Sequence, residues 1–224
     1  MLLTLDMATI VVFAAHNDDH ALAMGGTIAK HYKAKDEVYT FIGSFGEMSH
    51  PHYKPEVIRK VRVKEAQRAD RAYGGTAKVQ FLGLRELKFP EDWERKRLTT
   101  QIAKRLKKLK PSKLYLPGEN EMHPDHAAIA KLVLSMYDEA GLKADVYAYY
   151  TYPNLRRPRK VKLIVDVSNT YRKKLDGLRA YKSQIHIFTH AISNNMLYVY
   201  ILIRDWLHGF LNGTRFTETF YKLR

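Results

Sequence analysis

Cysteine is absent from the 224-residue chain, which excludes disulfide bonds, a thiolate nucleophile and a cysteine-based zinc site. This composition fits a reducing compartment. The first six residues contain no lysine or arginine, so no secretory leader is evident and we expect a cytoplasmic protein. No apolar run is long enough to span a bilayer, since the most apolar stretch, residues 196–210, contains Arg204, Asp205 and His208.

Acidic residues are also scarce, with 23 against 38 lysines and arginines, which gives a formal charge of +15. Such a surface attracts anions, including nucleic acids. The densest basic run, residues 156–160, lies in an expected loop, and no nucleic-acid-binding motif accompanies it. We therefore interpret the charge as a lysine-rich solvated surface and expect no nucleic-acid partner. A polyanion-binding protein with a vestigial metal site is the alternative from another functional class.

Hydrophobic residues make up 46% of the chain, which suffices for a sizeable core. Strand-like runs alternate with longer amphipathic segments, a pattern typical of parallel sheets covered by helices. We predict an α/β fold: one Rossmann-like, three-layer αβα domain over residues 1–224, with a mostly parallel sheet. Strands are predicted at 9–15, 37–42, 78–82, 113–116, 145–150 and 162–167, and helices at 21–35, 54–73, 91–109, 125–140, 170–183 and 194–211.

Two finer predictions concern the helices. Val57, Val61 and Ala69 recur at helical spacing and predict the buried stripe of the second helix. Ser168 precedes the fifth helix and is a residue type that favours the N-cap position.

Two polar motifs follow predicted strands. His16-Asn17-Asp18-Asp19 comes directly after the first strand, and His123-Pro124-Asp125-His126 follows the fourth. Parallel strands end at a common edge, where open α/β sheets bind ligands, so we expect the motifs to meet in an active site there. Histidine nitrogen and carboxylate oxygen suit a catalytic zinc with one open position. Asp125 is expected to orient a neighbouring histidine.

Each motif has a simpler interpretation when taken alone. Adjacent aspartates after a strand are common as helix caps, and a His-Pro-Asp-His turn can be a capped surface loop. The functional interpretation is favoured because both motifs follow strands that would end at the same edge.

At these residues the chain resembles the PIG-L/LmbE-like family of zinc-dependent N-deacetylases. The resemblance covers residues 10–185. Besides the two motifs, it includes Gly25-Gly26-Thr27-Ile28-Ala29, Gly46-Glu47, Arg62-Val63-Lys64-Glu65, Gly74, Asp166-Val167-Ser168, Lys173-Lys174 and Ser183-Gln184.

The resemblance implies a metal site with His16, Asp19 and His126 as ligands. It implies one Zn²⁺ per chain, with Fe²⁺ as the alternative metal. The expected reaction is removal of an N-acetyl group from an N-acetylglucosamine-type or related amide. The alternative substrates are another small amide and a thiol–sugar conjugate. The oligomeric state is undecided from the sequence, with a homo-oligomer as one alternative.

It also implies roles for other residues. Asp18 would be the general base that activates water, His123 the electrophile or general acid, and Arg62 a ligand of substrate hydroxyls. Two positions depart from the family pattern. Asn17 replaces a proline, which we expect to change only turn rigidity. His20 replaces an acidic residue that is not a metal ligand in the family, so we expect the metal site to survive, while the surroundings of the metal and the substrate rim differ. A pH-sensitive element at that rim is one role left open for His20.

Overall fold

The computed structural model describes residues 7–47, 53–153, 161–185 and 190–224. Within these ranges the strands are β1 Thr9–Ala14, β2 Glu37–Ile42, β3 Val79–Phe81, β4 Lys113–Pro117, β5 Asp145–Tyr149, β6 Lys162–Asp166 and β7 Thr217–Lys222. The helices are α1 Asp19–Lys33, α2 Pro55–Tyr73, α3 Phe89–Arg95, α4 Leu98–Leu109, α5 Pro124–Glu139, α6 Tyr171–Leu178, α7 Lys182–Ile185 and α8 His190–Leu211.

The strands form one sheet in the order β3-β2-β1-β4-β5-β7-β6. β1 to β5 are parallel, whereas β7 runs antiparallel to both β5 and β6. Alternation along β1 sends Val11 and Phe13 into a core shared with α3, α4 and α5. Ile10 and Val12 enter the opposite core, with α1 and α8. The predicted single-domain αβα fold with a mostly parallel sheet is therefore confirmed.

The third predicted helix, residues 91–109, is wrong as a single element. Arg97 adopts a left-handed conformation with φ of 52°, which separates α3 from α4. Trp93 Nε1 donates to Thr99 Oγ1 at 2.8 Å across the break. The apolar periodicity continues through it, because Trp93 and Ile102 are buried in the same core. Burial pattern alone therefore did not reveal the interruption.

The helix predicted at 170–183 is also two helices, α6 and α7. Thr170, not Ser168, occupies the N-cap position of α6. Ser168 Oγ instead accepts hydrogen bonds from the backbone N–H groups of Arg215 and Phe216, both at 3.2 Å. Ser168 therefore secures the segment leading into β7, an element that the sequence pattern did not predict.

The predicted apolar stripe of α2 is wrong at Val57, is confirmed at Ala69, and Val61 is only partly buried. Val57 is exposed, whereas Ile58, Ala66 and Ala69 are buried together with polar Arg62 and Glu65. The inward face of α2 carries charge because its partners are polar groups of α7 and of the chain that follows β2.

A buried ionic cluster on the α1 side of the sheet consists of Lys174, Asp205 and Glu218. Lys174 Nζ donates to Asp205 Oδ2 at 2.6 Å and to Glu218 Oε1 at 2.7 Å, and all three side chains are inaccessible to solvent. The Glu218 carboxylate also accepts the backbone N–H groups of Gly26 and Thr27, at 3.1 and 2.7 Å.

These amides follow a kink in α1, where Met24 has non-helical torsions of −147° and 19°. Glu218 thus caps the second part of α1, and the cluster fixes the angle of the first turn. Gly26 is required beside it, because a Cβ would lie 2.8 Å from the Val167 side chain. The Gly-Gly-Thr segment and Lys174 therefore serve the architecture of α1.

Asp92 of α3 anchors the loop between β3 and α3. Its buried carboxylate accepts hydrogen bonds from Arg85 N at 2.9 Å, from the Arg85 guanidinium at 2.7 Å and from Arg95 at 2.9 Å. Hydrogen bonds from Arg85 hold the pKa of Asp92 well below its usual range. The same loop donates Leu87 N to Asp125 Oδ1 at 2.9 Å. The ion pair therefore positions one of the walls around the second motif.

Replacing Asp92 with asparagine should lower the free energy of unfolding at pH 7 by about 1–2 kcal/mol, since charge-assisted hydrogen bonds are lost. Because the folded-state pKa is depressed, this contribution is complete above the unfolded carboxyl pKa of about 3.9. It declines as the pH falls from there toward the folded-state pKa. Urea unfolding of both proteins between pH 7 and pH 2 measures the effect. A stability difference that stays constant over this range would contradict it.

No helix in the four described ranges combines the length and the apolar character needed to cross a membrane.

Candidate metal centre and active site

The first motif lies where β1 ends and α1 begins. Asp18 is the N-cap residue of α1, but its side chain makes no capping hydrogen bond. Asp19 Oδ2 accepts the backbone N–H of His16 at 2.7 Å, which closes the turn between strand and helix. The Asp18 carboxylate is therefore not used as a helix cap, contrary to the simpler interpretation of adjacent aspartates.

The second motif lies at the neighbouring strand end. β4 pairs directly with β1, and Val12 stands opposite Tyr115. His123 is the N-cap residue of α5, and its Nδ1 accepts the backbone N–H of Asp125 at 3.2 Å. His126 lies in the first turn of α5 and is fully buried. The two motifs thus meet at the edge where the sequence placed them.

Three potential ligand atoms of these motifs form a compact triangle. His126 Nε2 is 3.1 Å from Asp19 Oδ2 and 3.2 Å from His16 Nδ1, and His16 Nδ1 is 3.6 Å from Asp19 Oδ2. Tetrahedral ligands about 2.0–2.1 Å from zinc lie roughly 3.3–3.4 Å from one another. The donor set and its spacing therefore fit a divalent cation.

His123 stands beside this triangle. One ring nitrogen from each of His16, His123 and His126 lies within 4.8 Å of the others, so the three imidazoles are also a possible metal group. The His16 and His123 ring centroids are 4.7 Å apart in an edge-on arrangement. Because His123 Nδ1 already accepts a backbone N–H, its Nε2 is the nitrogen left for a cation or a substrate.

The remaining nitrogens of the triangle's two histidines face carboxylates. His16 Nε2 lies 3.2 Å from Asp125 Oδ2, and His126 Nδ1 lies 2.6 Å from Glu121 Oε2. Glu121 also accepts the backbone N–H groups of Thr151 and Tyr152. Carboxylates behind ligand histidines fix the ring orientation and raise ligand basicity.

Sequence reasoning missed Glu121. Its only signal was its place two residues before the second motif, in a segment that looked like an ordinary polar loop. What reveals its role is the tertiary contact with His126 and with the chain that leaves β5.

The ligand residues of the triangle shift one another's pKa values. Burial alone would lower the pKa of His16, but hydrogen bonds to Asp125 and Asp19 raise it to about 9. Burial likewise opposes protonation of His126, yet Asp19 and then Glu121 raise its pKa to about 10. The pKa of Asp19 is lowered, against the effect of burial, chiefly by His126. The two imidazoles thus hold protons that a divalent cation would displace.

Asp18 and His123 shift in ways that suit proton transfer. Burial, followed by the charge of Asp19, raises the pKa of Asp18 to about 6. Burial, followed by the nearby imidazoles, lowers the pKa of His123. At neutral pH this leaves an ionised Asp18 and an uncharged His123.

Arg62 is almost completely buried on α2. Its Nη1 donates to the carbonyl oxygens of Phe45 and Gly46, and its Nη2 donates to Gln184 Oε1 at 3.4 Å. Gly46 has φ of +66°, and a Cβ there would overlap the Arg62 guanidinium. Arg62 therefore fixes the chain beyond β2, and its predicted contact with substrate hydroxyls stays a prediction.

Glu65 explains why the Arg-x-x-Glu and Ser-Gln motifs occur together. Its carboxylate accepts Ser183 N at 2.7 Å and Ser183 Oγ at 2.6 Å. The two motifs join α2 to α7 next to the site.

The two departures from the family pattern are both buried. Burial lowers the pKa of His20 to about 4, so the side chain is uncharged at neutral pH. This disfavours a pH-sensitive role for His20 in the neutral range. Within the described residues, the Asn17 side-chain amide has no hydrogen-bond partner, and the expectation that the change from proline alters only turn rigidity stays a prediction.

Two cavities open beside His123. The larger has a volume of about 710 Å³ and a charged wall that includes Glu47, Arg59, Arg85, Glu86 and Lys88. The second, of about 590 Å³, is mainly apolar and is lined by Met122, His123, Pro124, Tyr152 and Pro153.

The solved structures that this fold resembles include enzymes of different reaction types. N,N'-diacetylchitobiose deacetylase from Pyrococcus horikoshii matches 97% of this chain and 84% of its own, with a TM-score of 0.79 and 22% identity. A conserved protein from Thermus thermophilus matches 96% and 94%, with a TM-score of 0.73 and 22% identity. The 4-carboxy-2-hydroxymuconate hydratase GalB from Pseudomonas putida matches 97% of each chain, with a TM-score of 0.76 and 18% identity. At these identities the similarity establishes the fold.

Family membership is shown by the sequence itself. Residues 11–137, more than half of the chain, match the family model described as PIG-L: GlcNAc-PI de-N-acetylase. This segment begins in β1 and ends in α5, so it contains both metal-site motifs. The protein therefore belongs to the PIG-L family.

Proposed function

We propose that this protein is a metal-dependent hydrolase that removes an N-acetyl group from an N-acetylglucosamine-type or related amide. The observation that carries the proposal is the triangle of His16, Asp19 and His126 ligand atoms with an uncapped Asp18 carboxylate beside it. The proposal includes a small-molecule substrate, a cytoplasmic location and a single deacetylase domain over residues 1–224.

In this proposal His16 Nδ1, Asp19 Oδ2 and His126 Nε2 hold one divalent cation, Zn²⁺ or Fe²⁺. The bound metal would supply Lewis-acid activation of the amide carbonyl and would lower the pKa of water. Asp125 and Glu121 keep the two imidazoles turned toward the cation. Asp125 faces His16 Nε2 and Glu121 faces His126 Nδ1, so the other ring nitrogen of each histidine is available for the cation.

Asp18 is proposed as the general base. Its carboxylate takes a proton from the attacking water, the water oxygen bonds to the amide carbon, and the carbonyl oxygen becomes negatively charged. His123 donates its Nε2–H to this oxygen, a contact worth about 3–4 kcal/mol when well placed. The C–N bond then breaks, the proton on Asp18 passes to the leaving nitrogen, and acetate and a free amine result.

The larger cavity supports a sugar-sized substrate. Its 710 Å³ falls in the usual range for small-molecule sites, roughly 300–1,000 Å³. Its charged wall offers donors and acceptors for hydroxyl groups. Because His123 also borders the apolar cavity, a substrate with a nonpolar substituent is compatible as well. A different small amide and a thiol–sugar conjugate remain the alternatives within this reaction class.

Acetate release tests the proposal directly. Protein stripped of metal and reloaded with Zn²⁺ or Fe²⁺ is incubated with N-acetylated mono- and disaccharides, and acetate and free amine are quantified. We expect equimolar products, and no activity from the stripped protein. A metal-loaded protein that binds the metal at one ion per chain but deacetylates no sugar or small amide would contradict the proposal.

Two other outcomes would identify a different function. Hydration of an activated double bond without amide cleavage would indicate a reaction like that named for GalB. Steeply salt-dependent binding of DNA or RNA, with no stoichiometric metal, would favour the polyanion-binding alternative.

Changing Glu121 to glutamine should weaken zinc affinity by about 10–100-fold, because His126 loses the carboxylate that orients it. Competition with a zinc chelator measures the affinity. Glu119 is an exposed glutamate two residues earlier, so Glu119→Gln is the matched control and should bind as the wild type does. Equal affinities of the two variants would show that Glu121 does not support the site.

A further inference from the structure

From Met196 onward, the outer face of α8 is apolar and exposed within the part of the chain that the structure describes. Five of its residues, Met196, Val199, Ile203, Trp206 and Phe210, are 51–73% exposed. Leu202, Leu207 and Leu211 extend the patch on either side and are also exposed. Contiguous apolar patches beyond roughly 300–600 Å² are rare on monomeric proteins. We call the stripe formed by Met196, Val199, Ile203, Trp206 and Phe210 the α8 seam, and its exposure indicates a binding partner.

The α8 seam has the spacing of a helix–helix contact. The five residues are separated by three, four, three and four positions, which is the a/d pattern of a coiled coil over two heptads. Such a stripe forms knobs that fit between the side chains of another helix. The spacing therefore favours a helical partner over an extended peptide or a small ligand.

The two charged residues of α8, Arg204 and Asp205, face the protein interior. Asp205 is buried against Lys174, and Arg204 donates to Asp205 Oδ1 and to the Tyr150 carbonyl oxygen. An interfacial membrane helix carries lysine and arginine on its outer flank. From Met196 to Leu211, α8 has no lysine, and its one arginine, Arg204, faces inward. This disfavours a lipid surface as the occupant.

We propose that the α8 seam binds the α8 seam of a second copy of this chain, in an antiparallel pair related by a twofold axis. The midpoint of the seam is Ile203, seven residues from both Met196 and Phe210. An axis at Ile203 places Met196 of one copy against Phe210 of the other, so one surface satisfies both partners. With its flanking leucines, the patch comprises eight apolar side chains that are 37–76% exposed, and a standard interface buries about 800 Å² on each partner.

The absence of cysteine allows a sharp test by disulfide trapping. In Ile203→Cys, the two introduced thiols lie near the twofold axis and should form an intermolecular disulfide under mild oxidation at low micromolar protein. Met7→Cys is the matched control, since Met7 is an exposed methionine outside α8. We expect a covalent dimer from the first variant and a monomer from the second.

Sedimentation equilibrium of the untagged protein completes the test. We expect twice the mass of one chain for the wild type, and the mass of one chain for Ile203→Glu with an unchanged circular dichroism spectrum. A wild-type monomer at 100 µM would overturn the proposal. So would a dimer that Ile203→Glu leaves intact, since its interface would lie elsewhere. Binding of a monomeric wild type to anionic vesicles, lost in Ile203→Glu, would assign the seam to lipid instead.

Discussion

Replacing Asp18 with asparagine should lower kcat by about 10²–10⁴-fold, the usual contribution of a general base. The variant should still bind one metal ion per chain, because Asp18 contributes no atom to the ligand triangle. Its carboxylate is uncapped, and burial raises its pKa to about 6, which leaves it mostly ionised at pH 7 and able to accept a proton. Steady-state deacetylation and metal analysis of the same preparation measure both properties.

Asp19→Asn is the matched comparison, since it makes the same chemical change at the adjacent residue. Asp19 Oδ2 lies 3.1 Å from His126 Nε2, so this variant should lose metal as well as activity. Adding excess zinc should rescue Asp19→Asn in part and Asp18→Asn not at all. If Asp18→Asn kept the wild-type kcat on a proven substrate, the base assignment would be wrong.

Replacing Lys174 with methionine should lower the free energy of unfolding by about 3–5 kcal/mol. The change removes the cation that lies between the Asp205 and Glu218 carboxylates, in a place that water does not reach. Methionine fills a similar volume, so the expected loss arises from buried charge, mainly at Glu218, because Asp205 still accepts a hydrogen bond from Arg204. Urea unfolding followed by circular dichroism measures it.

Lys173→Met provides the control on the same helix. Lys173 is exposed, and exposed substitutions usually change stability by less than about 0.5 kcal/mol. The double variant Lys174→Met/Glu218→Gln should recover part of the loss, because one buried charge is then neutralised. Equal stabilities of Lys174→Met and Lys173→Met would show that the cluster is not a significant source of stability.

The predicted site arrangement depended on a simple topological fact. The two strands that precede the histidine–aspartate motifs were expected to end at a common edge of a parallel sheet, and β1 and β4 are paired in parallel. Strand alternation and helix periodicity are local properties, so most elements of the sheet and its covering helices could be predicted. The break at Arg97 could not, because both helices bury the same face and the apolar pattern runs through it.

The carboxylates were the most difficult to assign from sequence. Asp125 was expected to support a histidine, and it contacts His16. Glu121 and Glu218 went unrecognised, although one contacts His126 and the other caps the second part of α1. A glutamate in a polar segment has no local signature that distinguishes a solvated side chain from one buried against a distant partner. For Arg62 the sequence suggested a functional contact, with substrate hydroxyls, whereas the structure shows an architectural one. Its guanidinium donates hydrogen bonds to backbone carbonyl oxygens.

The sequence alone determined the α/β class, the membership of the PIG-L family and the two motifs that meet at the sheet edge, because these follow from local patterns and residue spacing. Only the tertiary structure decided which imidazole nitrogens remain available, which carboxylates are buried behind them and which face of α8 is left uncovered. Those properties depend on contacts between residues far apart in the chain, where burial and hydrogen bonding set the energy of each charged group.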